Sequence, residues 1–541
     1  MNRSAHGLPQ GLVVLFAVLI SAGALAAQTQ TPMPRTTLVE QAPSQNTTAL
    51  PPPHGFQQFI KSGKLQLSLN DAIFLALANN TDIQVDQTQV DTAKAAIGSA
   101  RTLFDPTLNA QFNTERSTES SFSEAAVAPT LSGLTQIYEL GFSQTFETGT
   151  NVQTSVSATK FSSNINFGFV NPSVFGNVTV QISQPLLRGR GLLPNRGPII
   201  IAQRNLEQSR AAFRQQVATV MLNVVAQYWN VVQARENLDV AQSLLAQAQK
   251  SYDHDKEALE KGALPPLDIY RSESEVASRR VSEIQAEYAV KEAEDRFRNF
   301  LGADVDPNIR ALDLDLTQVP EPTGDLLTVD IATELQKALV NRPDLDAQRL
   351  QVVNDDLNIK IAHNGLDPQL LLTGIYSGYG LNTDTNGPFL EALDQTFGFS
   401  QPTYGGALTL TLPIKNYAAK SAYATAQVSK RRDLYTDRQL RQQIGLQVAN
   451  AVHDLEQSKL SMEAAKIALN LAQKNLQAEQ RKYELGAETL FVLLETQSEL
   501  ATAEQSLIQA QIGYQVAVAS VYYSTGELLG NYNVEIAGLT K

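Results

Sequence analysis

Two spacings organise the apolar and polar positions of this chain. Over about 198–259 and 418–485, apolar residues return every three to four positions, and no proline interrupts either run after Pro198. That period predicts α-helix. At 1.5 Å per residue, each run would reach about 90–100 Å, far longer than an ordinary globular helix. Ala241, Leu245, Ala248, Tyr252, Asp255 and Leu259 step alternately by four and three, as do Ala465, Leu469, Ala472, Leu476, Glu479 and Tyr483. Such a seam supports left-handed knobs-into-holes packing. Its many alanines let helices approach closely, while Gln, Asn, Lys and Glu fill the outer faces. Gly262 and Gly486 then suit the left-handed position that ends a helix. Pro265-Pro266 fits the start of the next one. The result is a helical hairpin, made twice.

Elsewhere the period falls to two, which predicts strands. Leu108, Ala110 and Phe112 alternate with Asn109, Gln111 and Asn113; Val178, Val180 and Ile182 alternate with Thr179, Gln181 and Ser183. Leu408, Leu410 and Leu412 alternate with Thr409 and Thr411, and Leu370–Tyr379 is a less regular partner. Pro185 and Pro413 follow the last strand of each set, where no ladder donor is needed. One apolar and one small-polar face suits a water-filled barrel in lipid. A half-buried sheet in a soluble protein fits the alternation equally well. An additional hairpin is expected at about 137–160. Tyr138, Leu140 and Phe142 alternate with polar or small residues, Thr148-Gly149-Thr150-Asn151 reads as a turn, and Val152, Thr154, Val156 and Ala158 follow. It is expected to extend the sheet outside the membrane rather than to add wall strands.

The pattern is written twice. Ala76–Ile83 (ALANNTDI) matches Ala338–Leu345 (ALVNRPDL) at an offset of 262, where Asp105-Pro106 also meets Asp367-Pro368. At an offset of 224, Ala248-Gln249-Lys250 meets Ala472-Gln473-Lys474, Gly262-Ala263 meets Gly486-Ala487, and Ile284-Gln285-Ala286 meets Ile508-Gln509-Ala510. A longer insertion between the strands of the first half explains the change of offset. The repeats are 61–320 (strands about 107–185, tip near 262) and 321–541 (strands about 369–413, tip near 486). Each begins with a helix of about 35 residues, near 69–103 and near 330–365. Two strands, a very long helix and a final helix follow.

The N-terminus reads as an address. Arg3 supplies a basic start, Gly11–Ile20 an apolar stretch, and Ala24-Leu25-Ala26 a small-x-small cleavage site. Residues 1–26 are therefore expected to be a signal peptide. Residues 27–60, rich in Pro, Thr and Gln, are expected to be a flexible tail. No later run of 18 apolar residues predicts a transmembrane helix.

Composition removes whole classes of function. With no cysteine, the chain has no disulfide scaffold, thiolate metal site or thiol nucleophile. Its five histidines are scattered without ligand spacing, and no nucleotide-binding or hydrolase motif occurs. No catalytic, cofactor-binding or metal-ligating residue is expected, and no cofactor. A net charge of −13, from 42 basic and 55 acidic residues, argues against nucleic acid as a partner. Asp253 and Asp255, flanking His254, read as solvated helix acids.

These features together resemble the TolC-like outer membrane efflux proteins. The signal peptide, the duplicated unit and the tip turns LEKGALPPLDIYRSESE and YELGAETLFVLLETQSE carry the likeness, which spans about 61–530. It implies a fold that is mainly α with a transmembrane β-barrel portion, built as a homotrimer. Four strands per subunit would form a shared barrel of twelve in outer-membrane lipid, and the helices a second barrel through the periplasm. Many relatives carry a lipidated N-terminal cysteine, which this chain lacks. The resemblance further implies a passive channel of a tripartite efflux or secretion system, opened at its periplasmic tip by an adaptor protein and an inner-membrane pump. It makes Gly262, Ala263, Leu264, Gly486, Ala487 and Glu488 the adaptor-facing turns, and Asp268, Arg271, Tyr483 and Glu495 candidate gate residues. A basic residue is common in the family where Glu488 stands here. Three copies of Glu495 would form an acidic ring favouring cations, and Tyr483 could donate a hydrogen bond to Asp268. The alternative reading is a periplasmic coiled-coil structural or adaptor protein with a soluble sheet.

Overall fold

The computed structural model describes residues 53–120, 130–164, 171–262, 267, 269–303, 306–322, 324–382, 389–398, 401–485 and 487–534. The expected signal peptide and most of the expected tail lie outside these residues. In chain order the elements are β1 (Ile60–Lys61), β2 (Lys64–Leu67), α1 (Leu69–Asn79), α2 (Thr81–Arg101), β3 (Thr107–Ser120), β4 (Thr130–Thr145), β5 (Asn151–Ser163) and β6 (Ser173–Pro185). Then come α3 (Leu192–Glu260), α4 (Ile269–Phe300), β7 (Asp313–Leu316), α5 (Ile331–Asn341), α6 (Pro343–Asn364), β8 (Gln369–Asn382), α7 (Phe389–Phe397), β9 (Pro402–Thr411), α8 (Tyr417–Glu484) and α9 (Leu490–Thr525). The two long helices hold 69 and 68 residues, and Pro198 lies in the second turn of α3. The described residues fall into two compact units, one within 93–205 and 352–432, the other within 53–92, 206–351 and 433–534.

The helical unit carries the duplication. Where the sequence suggests one helix of about 35 residues at the start of each repeat, there are two. The break falls on one extended residue, Asn80 (φ −64°, ψ 125°) or Arg342 (φ −72°, ψ 124°). Arg342 precedes Pro343, and a residue before proline is pushed out of the helical region. Asn80 interrupts by capping: its side-chain oxygen accepts the N–H of Asp82 at 3.0 Å and of Ile83 at 3.4 Å. Both breaks serve the same packing. Gly302 (φ 67°) and Gly526 (φ 78°) end the chain's return helices in the left-handed region. A Cβ on Gly302 would lie 2.8 Å from the Asn79 carbonyl oxygen, and one on Gly526 would lie 3.0 Å from that of Asn341. Only glycine allows each helix end to meet each break.

Two cores flank this arrangement. One gathers Leu65, Leu67, Leu75, Tyr228 and Phe297, the other Leu345, Ile444, Leu455, Tyr514 and Val521. Burial obliges the tyrosines to find partners. Tyr228 Oη accepts the Gln318 N–H at 3.2 Å, and Tyr514 Oη accepts the Leu327 N–H at 2.8 Å. Residues 53–60, assigned to the flexible tail on composition, are a correction. Phe56 is 1% exposed in the first core, and the His54 N–H donates to Asn79 Oδ1 at 2.8 Å. One aromatic anchor outweighs the Pro-rich neighbourhood.

The other unit is built on a six-stranded antiparallel sheet, ordered β3-β4-β5-β6-β8-β9. The expected extra hairpin forms β4 and β5, paired between β3 and β6 in the sheet. The alternation is clearest in β3, β5, β6 and β9; β8 departs from it, with Leu371 and Ile375 on the same face as Thr373 and Ser377. Residues opposite one another in the ladders point to the same face. One face therefore carries Leu108 and Phe112, Tyr138 and Leu140, Val152 and Val156, Val180 and Ile182, Leu370 and Leu372, and Leu408 and Leu410. The other carries Asn109 and Gln111, Glu139, Gln153 and Ser155, Thr179 and Gln181, Ser377, and Thr409. On the apolar face Phe112 and Tyr138 rings meet at 4.8 Å. On the polar face Thr179 and Ser377 hydroxyls bond at 2.9 Å. Helix α7 covers the apolar face at one end of the strands, over Gly176 and Gly380. Towards the other end that face is bare, with Leu108, Leu408 and Leu410 all more than half exposed.

Candidate functional site

The site implied by the sequence lies where the two helical hairpins turn. Helix α3 ends at Glu260, and the Gly262 N–H (φ 73°) bonds back to the Leu259 carbonyl at 2.9 Å. Helix α8 ends at Glu484, with the Ala487 N–H bonded to the Lys482 carbonyl at 2.9 Å. Glu488 accepts the Thr489 N–H at 3.0 Å, just before α9 begins. Ala263, Leu264, Asp268 and Gly486 fall outside the described residues. Arg271 on α4 and Glu495 on α9 are exposed. Neither has a hydrogen-bond or ion-pair partner among the described residues.

Tyr483 has one. Its hydroxyl donates to Asp255 Oδ1 at 2.8 Å. Asp255 is only 1% exposed, and a buried carboxylate needs donors. Ser272 Oγ supplies a second, to Oδ2. His254 Nδ1 stands 3.5 Å from Oδ1, and its ring is 5.8 Å from that of Tyr483. Burial first, and the bond to Asp255 second, push the Tyr483 hydroxyl well above its ordinary pKa, so it stays a donor. One carboxylate thus ties α3 to α4 through Ser272 and to α8 through Tyr483. A second tie joins α4 to α9. Arg279 Nη2 donates to Ser498 Oγ at 2.5 Å, while its Nε holds Glu275 at 2.6 Å.

The repeat is broken here. At the offset of 224, Asp255 becomes Glu479, Ser272 becomes Thr496 and Tyr483 corresponds to Leu259. Glu479 pairs with Lys482 on its own helix at 2.6 Å, and the Thr496 hydroxyl turns to the Val492 carbonyl at 2.8 Å. The cross-helix bond therefore occurs once among the described residues of the two hairpins. The reading of Asp255 as a solvated helix acid is corrected: it is the buried acceptor. The signal was present, since an aspartate at a seam position must face neighbours. Ser272, Arg279 and Ser498 were missed, because nothing in their local sequence distinguishes them from surface residues.

This set can hold four helix ends together with hydrogen bonds that water could replace. No group of three metal-ligating side chains occurs among the described residues. Among those residues no helix is long and apolar enough to cross a membrane.

Comparison with known proteins follows the same division of the chain. A family model described as outer membrane efflux protein matches residues 72–303 and 335–527, one segment in each repeat. The pyoverdine export outer membrane protein OpmQ of Pseudomonas aeruginosa is 25% identical over 332 residues, 60% of this chain and 64% of that protein. The match thus spans just under two thirds of that relative. The toluene efflux pump outer membrane protein TtgC of Pseudomonas putida is 22% identical over 489 residues, 90% of this chain and 87% of that protein. Among solved structures, the outer-membrane channel OprN superposes with a TM-score of 0.63 at 17% identity, covering 87% of this chain and 91% of that one. CusC gives 0.64 at 18% identity, covering 90% and 99%. At these identities the structures establish the fold.

Proposed function

We propose a function from one premise: the chain belongs to the outer membrane efflux protein family, whose model spans well over half of it. The protein is read as the outer-membrane channel of a tripartite efflux or secretion system. It is a passive conduit rather than an enzyme. Three copies join their sheets into a barrel in outer-membrane lipid, with the helical hairpins reaching into the periplasm. A periplasmic adaptor and an inner-membrane pump open it at the hairpin tips.

One observation carries the reading. The sheet bears a bare apolar belt on one face, including Leu108, Ile182, Leu408 and Leu410, and a polar opposite face. Lipid outside and water inside satisfy both faces. A soluble sheet would leave the belt in water, where exposed apolar patches of that size mark an interface or a membrane. The edge strands β3 and β9 also carry unpaired backbone groups. Hydrocarbon does not tolerate these, so the sheet must close on other copies.

At the tips, Gly262, Ala263, Leu264, Gly486, Ala487 and Glu488 form the surface offered to the adaptor. The gate is the bond of Tyr483 to Asp255, with Arg279–Ser498 beside it. Asp268, Arg271 and Glu495 are assigned to the pore mouth, where copies of Glu495 favour cations over anions. Opening breaks the ties between hairpins and leaves the packed cores intact.

The test is localisation followed by flux. The chain should co-sediment with outer-membrane fractions and resist extraction by salt. Proteoliposomes holding it should pass small cations faster than anions of equal size, without any energy source. A salt-extractable protein, or one that inserts and passes no solute, would remove the conduit reading.

A further inference from the structure

We propose that each chain contributes six strands to the membrane wall, so that three copies close an eighteen-stranded barrel instead of one of twelve. The inference rests on the reading of the sheet as the membrane-spanning part, and it follows from how the extra hairpin is joined.

Continuity comes first. β3 and β6 would be neighbours in a four-strand contribution. Here they never pair. β3 bonds only to β4, β4 to β5, and β5 to β6, over 14, 13 and 11 residue pairs. Taking the hairpin out of the wall would cut the sheet in two and leave β3 alone.

Length comes second. β4 and β5 hold 16 and 13 residues, beside 14 in β3 and 13 in β6. A tilted strand needs about 9–11 residues to cross the hydrocarbon. Both hairpin strands are therefore long enough to span.

Their side chains come third. Leu140 and Val156 share a face with Leu108 and Ile182, while Ser155 and Ser157 share the opposite face with Thr179 and Asn177. A hairpin standing clear of lipid has no need to keep its apolar residues in line with lipid-facing neighbours.

The turn fixes its height. The Gly191 N–H donates to the Thr148 carbonyl at 3.1 Å, and Arg196 in the first turns of α3 lies 3.5 Å from Glu147. The β4–β5 turn therefore sits at the end of the sheet where the chain leaves for the long helix. A spanning hairpin must return to that end.

Closure is also satisfied. Five antiparallel pairings make the edge strands β3 and β9 run in opposite directions. β9 of one copy can then pair antiparallel with β3 of the next, and any number of copies gives an even strand count. Barrel diameter grows roughly linearly with strand number, so the lumen is about one and a half times as wide as a twelve-stranded one. An eighteen-stranded wall encloses an aqueous channel. Cargo selection then falls to the helical tip rather than to the membrane segment.

The chain has no cysteine, so each introduced thiol is the only one present. Single cysteines are placed in the full chain at Leu140, Val156, Ser155 and Ser157, with Leu408→Cys and Thr409→Cys as references outside the hairpin. In proteoliposomes, a membrane-impermeant maleimide should label Ser155→Cys and Ser157→Cys at least tenfold faster than Leu140→Cys and Val156→Cys. A fluorophore on the latter two should be quenched by brominated acyl chains as strongly as one at Leu408→Cys. If Leu408 and Thr409 alternate while the hairpin cysteines react alike and escape quenching, the wall has four strands per chain and the inference fails. If the reference pair does not alternate either, the membrane reading of the whole sheet fails with it. Native mass of the detergent complex supplies the copy number, and two copies instead of three would reduce the barrel to twelve strands and refute the count.

Discussion

Replacing Tyr483 by Phe removes a hydroxyl and almost nothing else, so it isolates the tie between α8 and Asp255. The bond is 2.8 Å long and its acceptor is a buried carboxylate. A hydrogen bond to a charged group contributes about 1.5–3 kcal/mol. Tyr483 is only half-buried, so water recovers part of this loss, and the lower end of the range applies. Each 1.4 kcal/mol is a factor of ten in an equilibrium. The tip should therefore open about tenfold more often for each copy that carries the change. Ser272 still holds the other oxygen of Asp255, so the helices should stay folded. Single-channel recording in a planar bilayer reads the open probability directly, and native mass confirms that the assembly is intact. Asp255→Ala, which removes both ties, should open the tip further than Tyr483→Phe. If both variants assemble normally and neither changes open probability, the cluster is a packing feature and the gate lies elsewhere.

Three further outcomes are expected. Arg342 is nearly buried and joins Asp344 at 2.6 Å, Gln447 at 2.8 Å and the Ser524 carbonyl at 3.4 Å; Arg342→Ala should cost about 3–5 kcal/mol, as breaking buried pairs does, and lower the thermal midpoint of the helical circular-dichroism signal. Phe56→Ala should cost about 3–5 kcal/mol by opening a cavity in the first core, seen as a lower denaturation midpoint; no shift would mean that residues 53–60 do not pack in solution. A Cβ at Gly380 would stand 2.1 Å from the Ala392 carbonyl oxygen, which belongs to backbone and cannot swing aside. Gly380→Val should therefore release α7. A thiol placed at the fully buried Thr396 should then react with an aqueous maleimide far faster than in the Gly380 background, and equal rates would show that α7 is not held by the sheet.

Much of the helical part was legible because its signals are local and repeated. The seam at Ala241–Leu259 and its mate at Ala465–Tyr483 give the long helices, and Gly262 ends the first of them at a positive φ. The break at Arg342 was also readable, since Pro343 follows it, but its counterpart at Asn80 has no proline. It depends on a side-chain cap and on the approach of Gly302, which are tertiary facts. The sheet was half legible. Alternation placed Tyr138–Phe142 and Val152–Ala158 on strands, yet period two does not say which strands are neighbours. Only the ladder register puts the hairpin between β3 and β6. At the tips, the family resemblance pointed to Tyr483 but offered Asp268 as its partner, whereas the hydroxyl bonds Asp255. Asp255 lies 228 positions away, and its burial depends on four helices meeting.

The central claim is that this chain closes with copies of itself into a membrane channel. It is tested most directly by purifying the protein from outer membranes in detergent, weighing the complex, and recording single channels in a planar bilayer. The account predicts a complex of three chains giving cation-preferring steps that occur more often when the Tyr483–Asp255 tie is removed. A monomer that stays soluble without detergent and passes no current would contradict it.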